Sequence, residues 1–228
     1  MAPDFPYYLP HRLGISRDDT HSLLGLVTVD LAMTLLAVAL WWYVMREAVI
    51  DLLPAAVRER IPARASSSWW RERRSPAIAI ALVIVSSIVG GATHLVWDSF
   101  THPGWLVDHV ALLRLRIGPL PVEKWLQHAS TVAGLVVLAI WAVIRLRGTE
   151  RDPHRPGRFT GRERVAWVTV IVLAAGLGGG IPWVIGLARG MSPVDPVLLF
   201  PVACLLVACG VAAVLLSAGA WHLRRRRA

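Results

Sequence analysis

The residues most able to do chemistry lie in the stretch Thr93-His94-Leu95-Val96-Trp97-Asp98-Ser99-Phe100-Thr101-His102-Pro103-Gly104. On a helix, His94, Asp98 and His102 follow one another at i, i+4 and share one face. Two imidazoles and a carboxylate converging in this way suit a divalent transition metal, zinc first, with manganese or iron as alternatives. Three such ligands leave positions open for water or substrate, which is the arrangement of a catalytic centre and not of a closed structural one. Thr93, Ser99 and Thr101 are interleaved with them and are expected to orient the imidazoles by hydrogen bonds. Pro103 lacks an amide hydrogen and should end the helix beside the last ligand.

Further polar groups accompany this stretch. Asp4 sits in Ala2-Pro3-Asp4-Phe5-Pro6, Asp18-Asp19-Thr20-His21 leads into one apolar run, and His128 opens another. Asp19 or His128 is expected to act as general base or acid, although Asp18 and Asp19 also have the composition of a helix N-cap. Asp30 lies about 13 Å beyond His21 at the helical rise, and His94 lies about 12 Å from His102, so Asp30 and His94 are expected at matching depth. A carboxylate in hydrocarbon costs at least ~2.5 kcal/mol, so Asp30 should hydrogen-bond a ligand imidazole or bind the metal itself. His11, His109, His154 and His222 read as solvated or capping residues.

The elements that must hold these groups are membrane helices. Of the 228 residues, 55% are hydrophobic and only 17% charged, well below the roughly 25% of a soluble domain. Five apolar segments have the length or nearly the length of a span: Ser22–Val44, Pro76–Trp97, Ala129–Ile144, Val165–Leu187 and Pro196–Trp221. The second is expected to continue to residue 102, and the third to start early, giving spans near 22–44, 76–102 and 125–146. The fold class is therefore an all-α, polytopic transmembrane bundle of about five spanning helices. Residues 1–147 form the motif-bearing part, 148–163 a loop, and 164–228 a two-helix segment with a basic tail. The net charge of +9 comes in short arginine runs without a recognition helix, a stacking platform or a Walker loop, which argues against nucleic acid and nucleotides as partners and leaves membrane lipids.

Eighteen of the 24 basic residues fall in 45–75, 145–164 and the tail Arg224–Arg227. By the positive-inside rule those segments are cytoplasmic, and the N-terminus and residues 98–128 face outward. Val49, Leu52, Leu53, Ala56 and Val57 beside Arg46, Asp51, Arg58 and Glu59 predict an interfacial amphipathic helix. Ser66–Ser68 with Trp69 and Trp70 read as a turn. In the fourth span Gly176 and Gly180 fit small-xxx-small packing, with a kink before Pro182 as the other reading. Cys204 and Cys209 read as buried thiols.

Ala2-Pro3-Asp4, Thr20-His21-Ser22-Leu23, Thr93–Gly104 and Gln127-His128-Ala129-Ser130 together resemble domain-of-unknown-function family 4184. These are bacterial multi-pass proteins, similar in motif pattern to predicted membrane-bound metal-dependent hydrolases. The resemblance covers roughly residues 1–147 and implies Asp4, His21, His94, Asp98 and His102 as ligands, with His128 as a further candidate. Members usually carry a Ser-His motif in an apolar stretch before Ala-Pro-Asp. Here Ala-Pro-Asp follows Met1, so either the start lies upstream or one ligand and one hydrophobic segment are lacking. No signal peptide is visible.

The expected function is a metal-dependent hydrolase of the bacterial cytoplasmic membrane, its site at the outer side, acting on a lipid-like or amphiphilic ester or phosphoester. The alternatives are a non-enzymatic metal- or proton-binding transporter, and a membrane scaffold.

Overall fold

The computed structural model describes residues 2–8, 16–62, 76–155 and 157–225. The Ser66–Ser68 turn, Trp69, Trp70, His11 and the end of the arginine tail lie outside them. Five helices are long and apolar enough to cross a membrane, and the chain is a polytopic helical membrane protein. We label them α1 (Leu23–Leu52), α2 (Pro76–Thr101), α3 (Val122–Arg147), α4 (Gly161–Ala188) and α5 (Pro196–Arg225). The only strands among the described residues are Arg116–Ile117 and Leu120–Pro121, a two-stranded hairpin leading into α3. Leu, Val and Ile side chains are exposed along every long helix. In the most apolar stretch of α3, no residue is buried inside the chain. Such surfaces are stable only against lipid or protein.

The first helix is not uniform. Ser22 caps it, its hydroxyl accepting from the Gly25 amide at 2.9 Å, and Thr28 breaks it after one turn. It resumes over Val29–Leu40, widens to a π turn at Trp41–Met45 and returns to α geometry over Arg46–Leu52. The predicted amphipathic helix is thus divided. Its first half continues α1, Pro54 ends the run, and only Ala55–Arg58 forms a separate turn. Within Arg46–Leu52 the buried residues are Arg46, Ala48, Ile50 and Asp51, because this segment packs against α5 and the loop before α4.

A close hairpin of α4 and α5 forms the best-packed part of the chain. The glycines that permit it are not Gly176 and Gly180, where an added Cβ would meet nothing within 4 Å. They are Gly178, whose Cβ would lie 2.7 Å from the Leu205 carbonyl oxygen and from Cys209 Sγ, and Gly186, whose Cβ would lie 2.3 Å from Leu198. Small residues do mediate the packing, on a face two positions away from the one the spacing suggested. Helix α4 runs unbroken through Pro182. Cys204 and Cys209 are free and half-buried. Gly178→Ala should destabilise the protein by about 1–3 kcal/mol through overpacking. Gly176→Ala should be neutral or stabilise by up to about 1 kcal/mol. Thermal unfolding in detergent checks both.

Candidate metal centre

Three segments bring the polar groups together. Asp4 rides on a 3-10 helix, Ala2–Tyr8, whose Pro3 and Pro6 restrict the backbone. Tyr7 anchors it edge-on against Phe200 of α5, with ring centroids 5.1 Å apart. His21 stands immediately before the cap of α1, and His94 and Asp98 are i, i+4 neighbours on α2. Close approach of α1 and α2 depends on Gly91, where a Cβ would lie 2.4 Å from Leu26 Cδ1. Gly25 serves the turn before α1 in the same way, since its Cβ would fall 1.9 Å from the Asp19 carbonyl oxygen.

Donor atoms of Asp4, His21, His94 and Asp98 all lie within 4.8 Å of one another, a group that could hold a metal ion. His94 Nε2 is 3.2 Å from Asp4 Oδ2 and 3.7 Å from Asp98 Oδ2. His21 Nε2 is 3.7 Å from Asp4 Oδ1 and 3.6 Å from Asp98 Oδ2. Donors bound about 2.0–2.2 Å from one tetrahedral ion lie roughly 3.4 Å apart, close to all four separations. His94 Nε2 is buried without an aligned hydrogen bond, as a nitrogen aimed at an ion would be. Burial raises the Asp4 carboxyl pKa, but the close contact with His94 and the charges of His94 and His21 outweigh it and hold that carboxyl below its usual value. It therefore stays an anionic donor at neutral pH.

Hydrogen bonds around the imidazoles separate His21 from His102, although each follows a threonine. The hydroxyl of fully buried Thr20 donates to the Pro3 carbonyl at 2.9 Å and stands 3.2 Å from His21 Nδ1. It can then only accept from Nδ1–H, which leaves the Nε2 lone pair facing the carboxylates. Thr101 likewise donates to the Trp97 carbonyl at 3.3 Å and lies 3.1 Å from His102 Nδ1. There, however, Gln127 Nε2 stands 3.4 Å from His102 Nε2 and donates to it. The His102 lone pair is occupied, and its Nδ1 lies 3.5 Å from Asp98 Oδ1. His102 is a neighbour of the group and not a member of it.

Other expected residues fall elsewhere. Thr93 donates to the Gly90 carbonyl and Ser99 to the Val96 carbonyl, so neither reaches an imidazole. Asp19 is exposed and accepts from the Ser16 amide at 2.8 Å and its hydroxyl at 2.7 Å. Those bonds hold its carboxyl below the usual range, and its role is to close a local turn. His128 is exposed. Asp30 is buried, with no hydrogen bond to either oxygen, so the expected bond to a ligand imidazole is not formed. It does lie close enough to interact electrostatically with His21, His94 and Asp4. The roles of Thr20, Gln127 and Lys124 are not visible in the sequence, Lys124 donating to the Thr101 carbonyl at 3.0 Å and to Gln127 Oε1 at 3.1 Å. Thr20 and Gln127 adjoin His21 and His128 in the chain, but only tertiary contact distinguishes them from their neighbours.

The family model described as Domain of unknown function (DUF4184) matches residues 1–218. The match runs well past residues 1–147, where the polar motifs lie, and takes in α4 and most of α5. No curated protein matches the chain, and no solved structure does. With nearly its whole length covered and its polar motifs gathered at one end of α1 and α2, the chain belongs to the DUF4184 family.

Proposed function

We propose that Asp4, His21, His94 and Asp98 bind a divalent transition ion, zinc first and manganese or iron next, and that the protein is a membrane-embedded metal-dependent hydrolase. The observation that carries the reading is the convergence of four donors within 4.8 Å, with imidazole–carboxylate separations of 3.2 to 3.7 Å, near the edge of one coordination sphere. Two imidazoles with two carboxylates suit ions of this class better than magnesium or calcium, which prefer oxygen alone. A bound divalent ion supplies Lewis acidity and lowers the pKa of water held against it. The chain's own residues do the rest. Thr20 fixes the His21 tautomer. Asp4 and His102, about one third exposed, form the mouth. Gln127 and Lys124, beside His102, line a polar rim whose amide and ammonium hydrogens would hold an ester or phosphoester oxygen.

The positive-inside distribution supports a mouth on the outer side of a bacterial cytoplasmic membrane. At that depth an amphiphilic substrate can present its headgroup while its chains remain in lipid. Buried Asp30, without a hydrogen bond among the described residues, is the observation that favours a second reading, passage of a metal ion or proton without hydrolysis. Ion flux in sealed liposomes without turnover of any ester would support that reading.

Elemental analysis of detergent-purified protein should find about one equivalent of metal in the parent. Asp98→Ala and His94→Ala should lose it, whereas His102→Ala should retain it. Loss in the His102 variant to the same extent would mean that the ligand set is wrong. Thr20→Val should weaken metal affinity by about 10–100-fold, since it removes the group that orients a ligand. Thr93→Val should bind as the parent does; competition with a fluorescent zinc chelator reads both.

A further inference from the structure

A second constellation occupies the opposite end of α1, and it is basic. Asp51 Oδ2 accepts from the Arg158 amide at 2.6 Å, the Phe159 amide at 2.9 Å and Trp221 Nε1 at 3.2 Å. Its Oδ1 accepts from Arg164 Nη2 at 3.0 Å. Asp51 is thereby committed to holding the loop before α4, and α5, against α1. Glu47 is committed too, to Arg46 and to Arg155 Nη2 at 3.1 Å. The other amino groups of these two arginines donate to carbonyls, Arg46 to Pro62 and Arg155 to Arg58, each at 2.9 Å.

Arg58 has a long ion pair with Asp51 and, among the described residues, no hydrogen-bond acceptor for Nε or Nη1. Its side chain is only 12% exposed, and the nearest carboxylate oxygen, Asp51 Oδ1, lies 3.9 Å from Nη1. Both Nε and Nη1 are buried and make no hydrogen bond among the described residues. Burial lowers the pKa of neighbouring Arg155; Glu47 opposes this, and the charges of Arg46 and Arg58 push it down further. Among the described residues, four guanidinium groups (Arg46, Arg58, Arg155 and Arg164) thus surround the Asp51 and Glu47 carboxylates, two more positive charges than negative. A guanidinium withdrawn from water without an acceptor is strongly unfavourable, so the arrangement calls for an anion.

We infer that a phosphate group binds here, accepting hydrogen bonds from Arg58 Nε and Nη1, with Arg46 and Arg155 providing the surrounding charge. Phosphate oxygens are the natural acceptors for clustered guanidinium donors. The phosphate comes from an anionic lipid headgroup or from solution. Arg46 lies 5.2 Å over the ring of Trp42, a tryptophan at the end of a span, which is the depth of headgroups.

The test uses the full chain in nanodiscs of two compositions. In phosphatidylcholine alone, inorganic phosphate is titrated and followed by tryptophan fluorescence. In phosphatidylcholine with phosphatidylglycerol, lipid retained after gentle extraction is counted by native mass spectrometry. Saturable binding in the first arm identifies free phosphate, and enrichment of phosphatidylglycerol in the second identifies a headgroup; either supports the site. Arg58→Gln should weaken the positive arm about tenfold or more. Arg58→Lys, which keeps the charge, should weaken it less and carries the comparison if the Gln variant does not fold. Exposed Arg145→Gln should behave as the parent. No binding in either arm, or parental binding by both Arg58 variants, overturns the proposal.

Discussion

Charged groups placed where water is scarce must be compensated, and that constraint organises both ends of this molecule. At the end of α1 near His21, Asp4 and Asp98 present donor oxygens within 4.8 Å of one another. At that distance two unit charges repel by about 3–4 kcal/mol for an effective dielectric constant of ~20. Asp30 adds a third carboxylate nearby, and no arginine or lysine contacts any of the three among the described residues. Protonated imidazoles relieve such repulsion in part, whereas a divalent cation held by all four donors would remove it and leave both imidazoles neutral. Spacing and charge are therefore both what the proposed ion would require.

The opposite end reverses the sign with the same logic. There Asp51 and Glu47 are saturated by amides, an indole and guanidinium groups, and the excess is cationic. Between these ends, α1 offers lipid an almost continuous apolar surface. The two constellations are joined by a helix of 30 residues, about 45 Å long at the α-helical rise. The stability of each depends on a different set of neighbours, the N-terminal 3-10 helix and α2 for one, the pre-α4 loop and α5 for the other.

Much of this was legible in the sequence. Apolar length located all five helices, because lipid demands continuous runs and tolerates few exceptions, although α1 runs on to Leu52, past its expected end at Val44. Four of the five expected ligands, Asp4, His21, His94 and Asp98, lie together; the fifth, His102, lies beside them with its lone pair engaged by Gln127. Periodicity alone could not separate His94 from His102, since both are i, i+4 from Asp98. What decides is Gln127, which comes from another helix. Three Thr-His pairs look alike in sequence, yet Thr20 and Thr101 contact their histidines while Thr93 turns back to its own helix. The Asp51 hub was invisible for a related reason: its partners stand 107 to 170 residues away, and a lone Asp in a basic stretch reads as a surface residue. The glycine face in α4 was misplaced because spacing identifies a stripe without saying which stripe meets α5.

X-ray absorption at the zinc K-edge, on zinc-loaded protein, tests the central claim most directly. Two imidazoles with carboxylate or water oxygens, at about 2.0–2.1 Å, is the first shell expected of Asp4, His21, His94 and Asp98. A shell with three imidazoles would bring His102 into coordination, and a shell with none would place the ion elsewhere. Either result would contradict the assignment.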